Sequence, residues 1–133
     1  MINAPKAILN YLKTQVGVTA LTTTARIYAE SSAPPAQYRI EDGAAVTFKV
    51  RGGSPDYSDA LLTPSVQFQC WGQTPLLAHQ LYQALYAALQ GAHNGVIKWA
   101  RCEQLGQALT SEAGWPMVLT FFRMHIVGEE PGD

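Results

Sequence analysis

The most constraining stretch of this chain runs from Val66 to Gly91, where the spacing of apolar side chains changes from two residues to four. Val66, Phe68 and Cys70 alternate with Gln67, Gln69 and Trp71, which predicts a strand with one face in a core. Thr74 and Pro75 follow, then the series Leu77, Leu81, Leu85 and Leu89, with Ala78, Ala84 and Ala88 beside it. The Thr74 hydroxyl suits an N-cap because it can accept a free N–H of the first turn, and Pro75 suits the first helical position because it has no N–H to leave unpaired. Gly91 is a natural stop. A half-buried strand leading straight into an amphipathic helix demands a sheet with a helix laid on one face.

The flanking segments fill in that arrangement. Asn3 caps a helix from Ala4 onwards, with Ile8, Leu12 and Val16 at four-residue spacing and Gly17 as its end. Ala25 to Ala29 reads as a strand, and Ser31 to Pro35 as a break, because two prolines forbid continued pairing. Gln37–Glu41 and Ala44–Val50 flank Asp42-Gly43, which predicts a tight hairpin. Val96 to Leu105 and Met117 to Val127 are further strands, divided by Ala113-Gly114-Trp115-Pro116. His93-Asn94-Gly95 reads as a turn, and residues 128–133 as a frayed acidic tail. No repeated strand–helix–strand unit is visible. The expected fold is therefore α+β: a mostly antiparallel or mixed sheet, two helices packed on it, a β-hairpin and a long loop, in one domain over residues 1–133.

That loop is Arg51 to Thr63, through Gly52-Gly53-Ser54-Pro55. Structureless loops of such length are usually functional or disordered. Arg51, Asp56, Tyr57 and Asp59 are its candidates for contact with a partner subunit, becoming ordered on assembly. The alternative is a plain surface excursion.

Composition narrows the function. Of 133 residues, 47% are hydrophobic and only 14% charged, against about 25% charged in an average domain. Such a surface is either polar and uncharged or partly covered by another subunit. The net charge of −1 and the absence of any basic run remove the main driver of nucleic-acid binding. No window approaches the roughly 20 apolar residues that cross a bilayer, and no signal core stands at the start, so a soluble protein with no membrane partner is expected. Cys70 and Cys102 lack metal or redox spacing and read as free thiols, with a single disulfide left open.

No catalytic constellation is present in the sequence. There is no GxGxxG, no phosphate-binding GxxxxGK[ST] and no HExxH. His79, His93 and His125 fall on a helix, a turn and a strand, with no local metal spacing. Cys102, His125 and Asp59 could compose a nucleophile, base and orienter only if the fold assembled them. Glu103 and Glu112 are too isolated to argue for paired carboxylates. Trp71, Trp99, Trp115, Tyr82 and Tyr86 lack the interleaved Lys and Arg of a base-stacking platform and suit a core or a subunit interface. The expectation is a protein that is not an enzyme and takes no cofactor or metal.

The order of elements resembles one known family. In their order and texture, Ala7-Ile8-Leu9-Asn10-Tyr11-Leu12, Ala25-Arg26-Ile27-Tyr28, the break at Pro34-Pro35, Val66-Gln67-Phe68-Gln69-Cys70-Trp71-Gly72 and Leu77-Ala78-His79-Gln80-Leu81-Tyr82-Gln83-Ala84-Leu85 resemble the tail completion, or tail terminator, proteins of long-tailed bacteriophages and prophages. The resemblance covers Ala4 to Val127, and the proline-containing Arg51–Thr63 segment departs from it. It implies a homo-oligomeric ring, commonly six-fold, seated on the end of the tail tube. Its partners would be the tail tube protein and a head-completion or connector protein, and DNA would pass through the lumen without specific binding. The location implied is the head–tail junction of the virion, after assembly in a bacterial cytoplasm.

A ring of identical subunits needs a head-to-tail contact that closes on itself, so two different surfaces of each subunit are covered. A neighbour's strand could add to an exposed sheet edge. Two other readings stand beside this one: a head-completion or connector adaptor of the same particle, and a small α+β enzyme or ligand-binding domain with a scattered site.

Overall fold

The computed structural model describes residues 3–55, 61–92 and 96–127, with side chains described for all of these except 52–55 and 61–62. Three α-helices, α1 (Ala4–Lys13), α2 (Val16–Thr22) and α3 (Pro75–Leu89), lie with a five-stranded mixed sheet, so the fold is α+β. The strands are β1 (Ile27–Ala29), β2 (Ala45–Pro55), β3 (Leu61–Trp71), β4 (Ile97–Thr110) and β5 (Pro116–Val127), in the spatial order β1-β2-β3-β5-β4. Every pairing is antiparallel except β1 with β2, which is parallel.

Strand alternation decides which side of the sheet the helices cover. Val46 and Phe48 on β2, Val66, Phe68 and Cys70 on β3, and Phe122, Met124 and Ile126 on β5 are buried in one cluster with Ile8 and Leu12 of α1 and Leu81, Leu85 and Leu89 of α3. The caps act as the sequence suggests. Asn3 Oδ1 accepts the Lys6 N–H at 3.1 Å, and Thr74 Oγ1 accepts the Leu77 N–H at 3.2 Å. The α3 stripe is rotated slightly from the leucine series: Ala78, Leu81, Tyr82, Leu85 and Leu89 are buried, whereas Leu77 in the first turn is 41% exposed.

Three expectations are overturned. The first is the count of two helices. The first helix ends at Lys13, and α2 forms from Val16, with Gly17 inside it rather than closing α1. Only Val18 and Thr22 of α2 are buried, too few to leave a periodic apolar signal. The second is the hairpin at Asp42-Gly43. Residues Ile40–Asp42 form one 3-10 turn, in which Asp42 Oδ2 accepts the Arg39 N–H at 3.2 Å, and β2 finds β1 on that side instead. Gly43 does have positive φ, 126°, and a Cβ there would sit 2.5 Å from the Arg26 guanidinium. The glycine is needed for its conformation, but in a different turn.

The third is the loop at Arg51–Thr63. β2 runs to Pro55 and β3 starts at Leu61, with Ser54 opposite Thr63 and Pro55 opposite Leu62. The glycines disguise a strand. The register shifts between Val50 and Gly53, beside Pro64, which has no N–H to give to a ladder. The chain thus makes a long hairpin one element later than the Asp-Gly pair suggested. The turn at 93–95 and the tail at 128–133 lie outside the described residues.

The edges of the sheet are guarded. β1 is only three residues long. On β4, the Gly91 N–H donates to Ala100 O at 2.9 Å, Gln90 Oε1 accepts the Cys102 N–H at 2.8 Å, and the Tyr82 hydroxyl accepts the Gly106 N–H at 2.9 Å. Tyr82 of α3 and the two residues that follow the helix therefore occupy the edge from Ala100 to Gly106, where a neighbour's strand would otherwise add. Register shifts between Cys102 and Gln104 and between Gln104 and Gln107 interrupt it further.

Candidate assembly surface

The helices leave the second face of the sheet bare, and the chain treats its two ends differently. At one end the segment between β1 and β2 folds back over the sheet. Tyr38 and Ile40 bury themselves there against Ala45 and Trp71, with Trp115 and Met117 alongside. Tyr38 meets Trp115 edge-on at 5.5 Å, and Trp71 meets Trp115 at 6.4 Å. The Tyr38 hydroxyl donates to Gly43 O, and burial pushes its pKa up to about 12. Beside this small second core, an open groove of about 410 Å³ runs between Pro34-Pro35 and the turn at Glu112–Trp115.

At the other end nothing of the described chain lies over the sheet. Leu119, Phe121, Arg123, His125 and Val127, the outward residues of β5, are half-buried among their strand neighbours alone. Here the charged side chains gather. The Arg51 guanidinium carbon sits 4.7 Å from the centre of the Phe121 ring, and that of Arg101 sits 5.1 Å from the Trp99 ring. Trp99 in turn lies 5.2 Å from His125. Between them is a cleft of about 430 Å³ lined by Arg51, Ser65, Glu103, Gln104, Phe121 and Arg123.

Glu103 and Arg123 hold the wall of this cleft. Glu103 Oε2 accepts from Arg123 Nε at 3.0 Å and lies 2.9 Å from its Nη2, while Arg123 Nη1 donates to Thr63 O at 3.0 Å. Ser65 Oγ donates to Glu103 Oε1 at 2.5 Å. The Ser65 hydrogen bond, then the Arg123 guanidinium and the more distant charge of Arg51, hold the Glu103 carboxyl below its ordinary pKa, against a partial rise from burial. A lowered carboxyl pKa stabilises the fold above the unfolded pKa, about 4.3 for Glu, and this contribution is lost as pH falls through the lower folded value. Glu103→Gln is therefore expected to flatten the loss of stability below about pH 4.3. Its cost at neutral pH is under about 1 kcal/mol, because both side chains are about a third exposed. Urea unfolding midpoints of wild type and variant from pH 3 to 7 test this; parallel curves would remove Glu103 from the acid response.

Of the four residues expected to contact a partner, Arg51 stands at this cleft, near the end of β2. Asp56, Tyr57 and Asp59 lie outside the described residues. Ser65, Glu103, Phe121 and Arg123 join Arg51 without having been singled out for contact. Phe121 and Arg123 share the outward parity of the last strand, which was a usable signal.

The scattered catalytic reading is not assembled. Cys102 faces the helix side, where its sulfur lies 3.9 Å from Thr120 Oγ1, whereas His125 points to the opposite face beside Trp99. Cys70 is fully buried, and burial pushes its thiol pKa far up. Both cysteines are free thiols. His79 is exposed on α3 beside the Tyr82 ring. Among the described residues no three His, Cys, Asp or Glu side chains converge as a metal site requires, and no helix among them is long and apolar enough to cross a membrane.

No protein-family profile matches the chain, and no curated protein sequence does. The fold does have a solved counterpart. A chain of a structure described as the virion of a native gene transfer agent (GTA) particle superposes with a TM-score of 0.64 at 18% sequence identity, covering 96% of this chain and 100% of its own length. At that identity the match defines a shared fold.

Proposed function

We propose that this chain is a structural subunit of a phage-like particle, a tail terminator that acts without catalysis or cofactor as one domain over residues 1–133. Copies form a closed ring, commonly six-fold, on the end of the tail tube. The ring stops tube growth and offers the docking face for the head-completion or connector protein, and DNA passes through its lumen. The observation that carries this reading is the end-to-end fold match to a chain of a virion particle. The resemblance of Ala4–Val127 to tail completion proteins supplies the finer role. Low charge and a sheet face left bare at one end suit a subunit that is covered on assembly.

Light scattering of the purified protein over a range of concentrations, with electron microscopy of tail tubes mixed with it, tests the proposal. The expected result is a discrete closed oligomer, or one that forms on tube ends, and tubes of capped length. A monomer at every concentration that leaves tube ends bare would overturn it. Decoration of the head side only would place the chain in the connector instead.

A further inference from the structure

We propose that the partner covering the bare end of the sheet is DNA, held there through its phosphate backbone. Its place in a lumen rests on the ring reading, whereas the binding needs only one subunit.

Strand pairing assembles what the linear sequence lacks. Residues paired across a sheet share a face. Lys49 pairs with Gln67, and Gln67 with Phe121. Arg101 pairs with Arg123, and Trp99 with His125. Phe121, Arg123 and His125 point away from the helices, so Lys49, Arg101 and Trp99 do too. The Arg51 guanidinium joins them over Phe121. Four of the nine Lys and Arg of the chain thus gather at one end of one face, interleaved in space with Trp99 and Phe121. A net charge of −1, summed over the whole chain, conceals this.

Most of that positive charge is unspent. Arg123 is held by Glu103 and Thr63 O, and Glu103 in turn by Arg123 and Ser65. Glu30 stands at the rim, where its Oε1 accepts the Val50 N–H at 2.9 Å. Lys49, Arg51 and Arg101 are exposed and have no hydrogen-bond or ion-pair partner among the described residues, which do not include Asp56, Asp59 or the acids of 129–133. Arg51 and Arg101 are oriented by their rings, at 4.7 Å and 5.1 Å. Stacking uses the flat of a guanidinium and leaves its N–H edge free for an anion.

The spread of these cations selects the anion. β2 and β4 are three strand spacings apart, about 14 Å. A lone carboxylate meets one of the three cations at most. DNA repeats a phosphate about every 3.4 Å along each strand and can meet all three without reading sequence. Each guanidinium already covers a ring face, so bases gain little by stacking there, and the backbone is the part of DNA that fits. Three phosphate contacts are few, which suits DNA that has to slide.

Fluorescence anisotropy of a labelled duplex of about 20 base pairs, titrated with the full chain, tests this. Three contacts give an expected slope of about −2.7 in log affinity against log salt, and so a loss of about fortyfold between about 50 and 200 mM. Lys49→Gln, Arg51→Gln and Arg101→Gln are each expected to make that slope shallower by about 1. Lys6→Gln and Lys13→Gln, on α1, are expected to leave it unchanged. Circular dichroism and melting check that each variant folds, and light scattering of the same samples follows assembly. The proposal is overturned if the wild type does not bind at about 50 mM salt, or if the α1 variants weaken binding as much as the sheet variants do. It is also overturned if polyglutamate displaces the duplex as well as unlabelled DNA does at equal charge, since the face would then fit an acidic protein. Sheet variants that bind DNA like the wild type but no longer close into oligomers would make this end a subunit contact, and the proposal falls while the ring stands. A wild type that never associates, alone or on tube ends, yet binds DNA with this slope and through these three residues, ends the ring reading and leaves the DNA contact in place.

Discussion

Phe68→Ala is expected to remove about 3–5 kcal/mol of folding stability, a large share of what holds a domain of this size. Phe68 stands at the middle of the sheet and is fully buried. Its ring lies 5.7 Å from that of Phe48 on β2 and 5.8 Å from that of Phe122 on β5, so one side chain ties together the three central strands. Phe122 carries the contact on to Tyr86 of α3 at 5.9 Å. Truncation removes the transfer free energy of the ring and leaves a cavity walled by a rigid sheet, which cannot collapse to fill it. The expected loss is about 3–5 kcal/mol, against a total of about 5–15 kcal/mol for an ordinary domain. Denaturant unfolding at one fixed protein concentration measures it, since association would add its own stabilisation. Phe68→Leu keeps most of the volume and is expected to cost much less. A Phe68→Ala midpoint equal to that of wild type would show that the core is organised elsewhere.

That residue belongs to the part of the fold that the sequence displays openly. Val66, Phe68 and Cys70 alternate cleanly because β3 is central and faces the helices along that half of its length. Thr74, Pro75 and the following stripe announce α3 for the same reason: one side of the helix is wholly buried. The hidden elements lack such one-sided burial. α2 hides only Val18 and Thr22. The end of β2 is written in glycine, serine and proline, residues whose local preferences oppose a strand, and it is held by pairing with β3 that no local pattern reports. The Asp-Gly pair at residues 42–43 gave the right backbone requirement and the wrong partner, since the competing parallel contact with β1 comes from residues well upstream. The cleft follows the same division. Phe121 and Arg123 can be found by counting in twos along β5. Glu103 cannot, because β4 changes register on either side of Gln104 and parity there carries no information. Arg51 reads as a loop residue and is a strand residue, exposed because no element of the described residues lies over that end of the sheet.

Thr47→Val is expected to cost at least about 2 kcal/mol of stability, although the two side chains have the same shape. Thr47 lies on the face away from the helices, opposite Gln69 of β3, and is fully buried because the residues before β2 fold over it. Its hydroxyl serves two neighbours at once: it accepts the Trp71 indole N–H at 3.0 Å and donates to Gln69 Oε1 at 3.0 Å. The Gln69 amide continues to Met117 Sδ at 3.4 Å. Valine would strand a buried indole N–H and a buried amide oxygen together. Each unmet group costs about 1–3 kcal/mol, so the two together cost about 2–6 kcal/mol if water reaches neither. Thr47→Ser separates the hydroxyl from the methyl: it keeps both hydrogen bonds and gives up one buried methyl, about 1 kcal/mol. The order wild type, Ser, Val in urea midpoint is the signature of the network, and the Trp71 indole N–H resonance should move only in the valine variant. If valine is as stable as threonine, the covered end of the sheet tolerates an unsatisfied pair, and the segment from Tyr38 to Asp42 packs there by apolar contact alone.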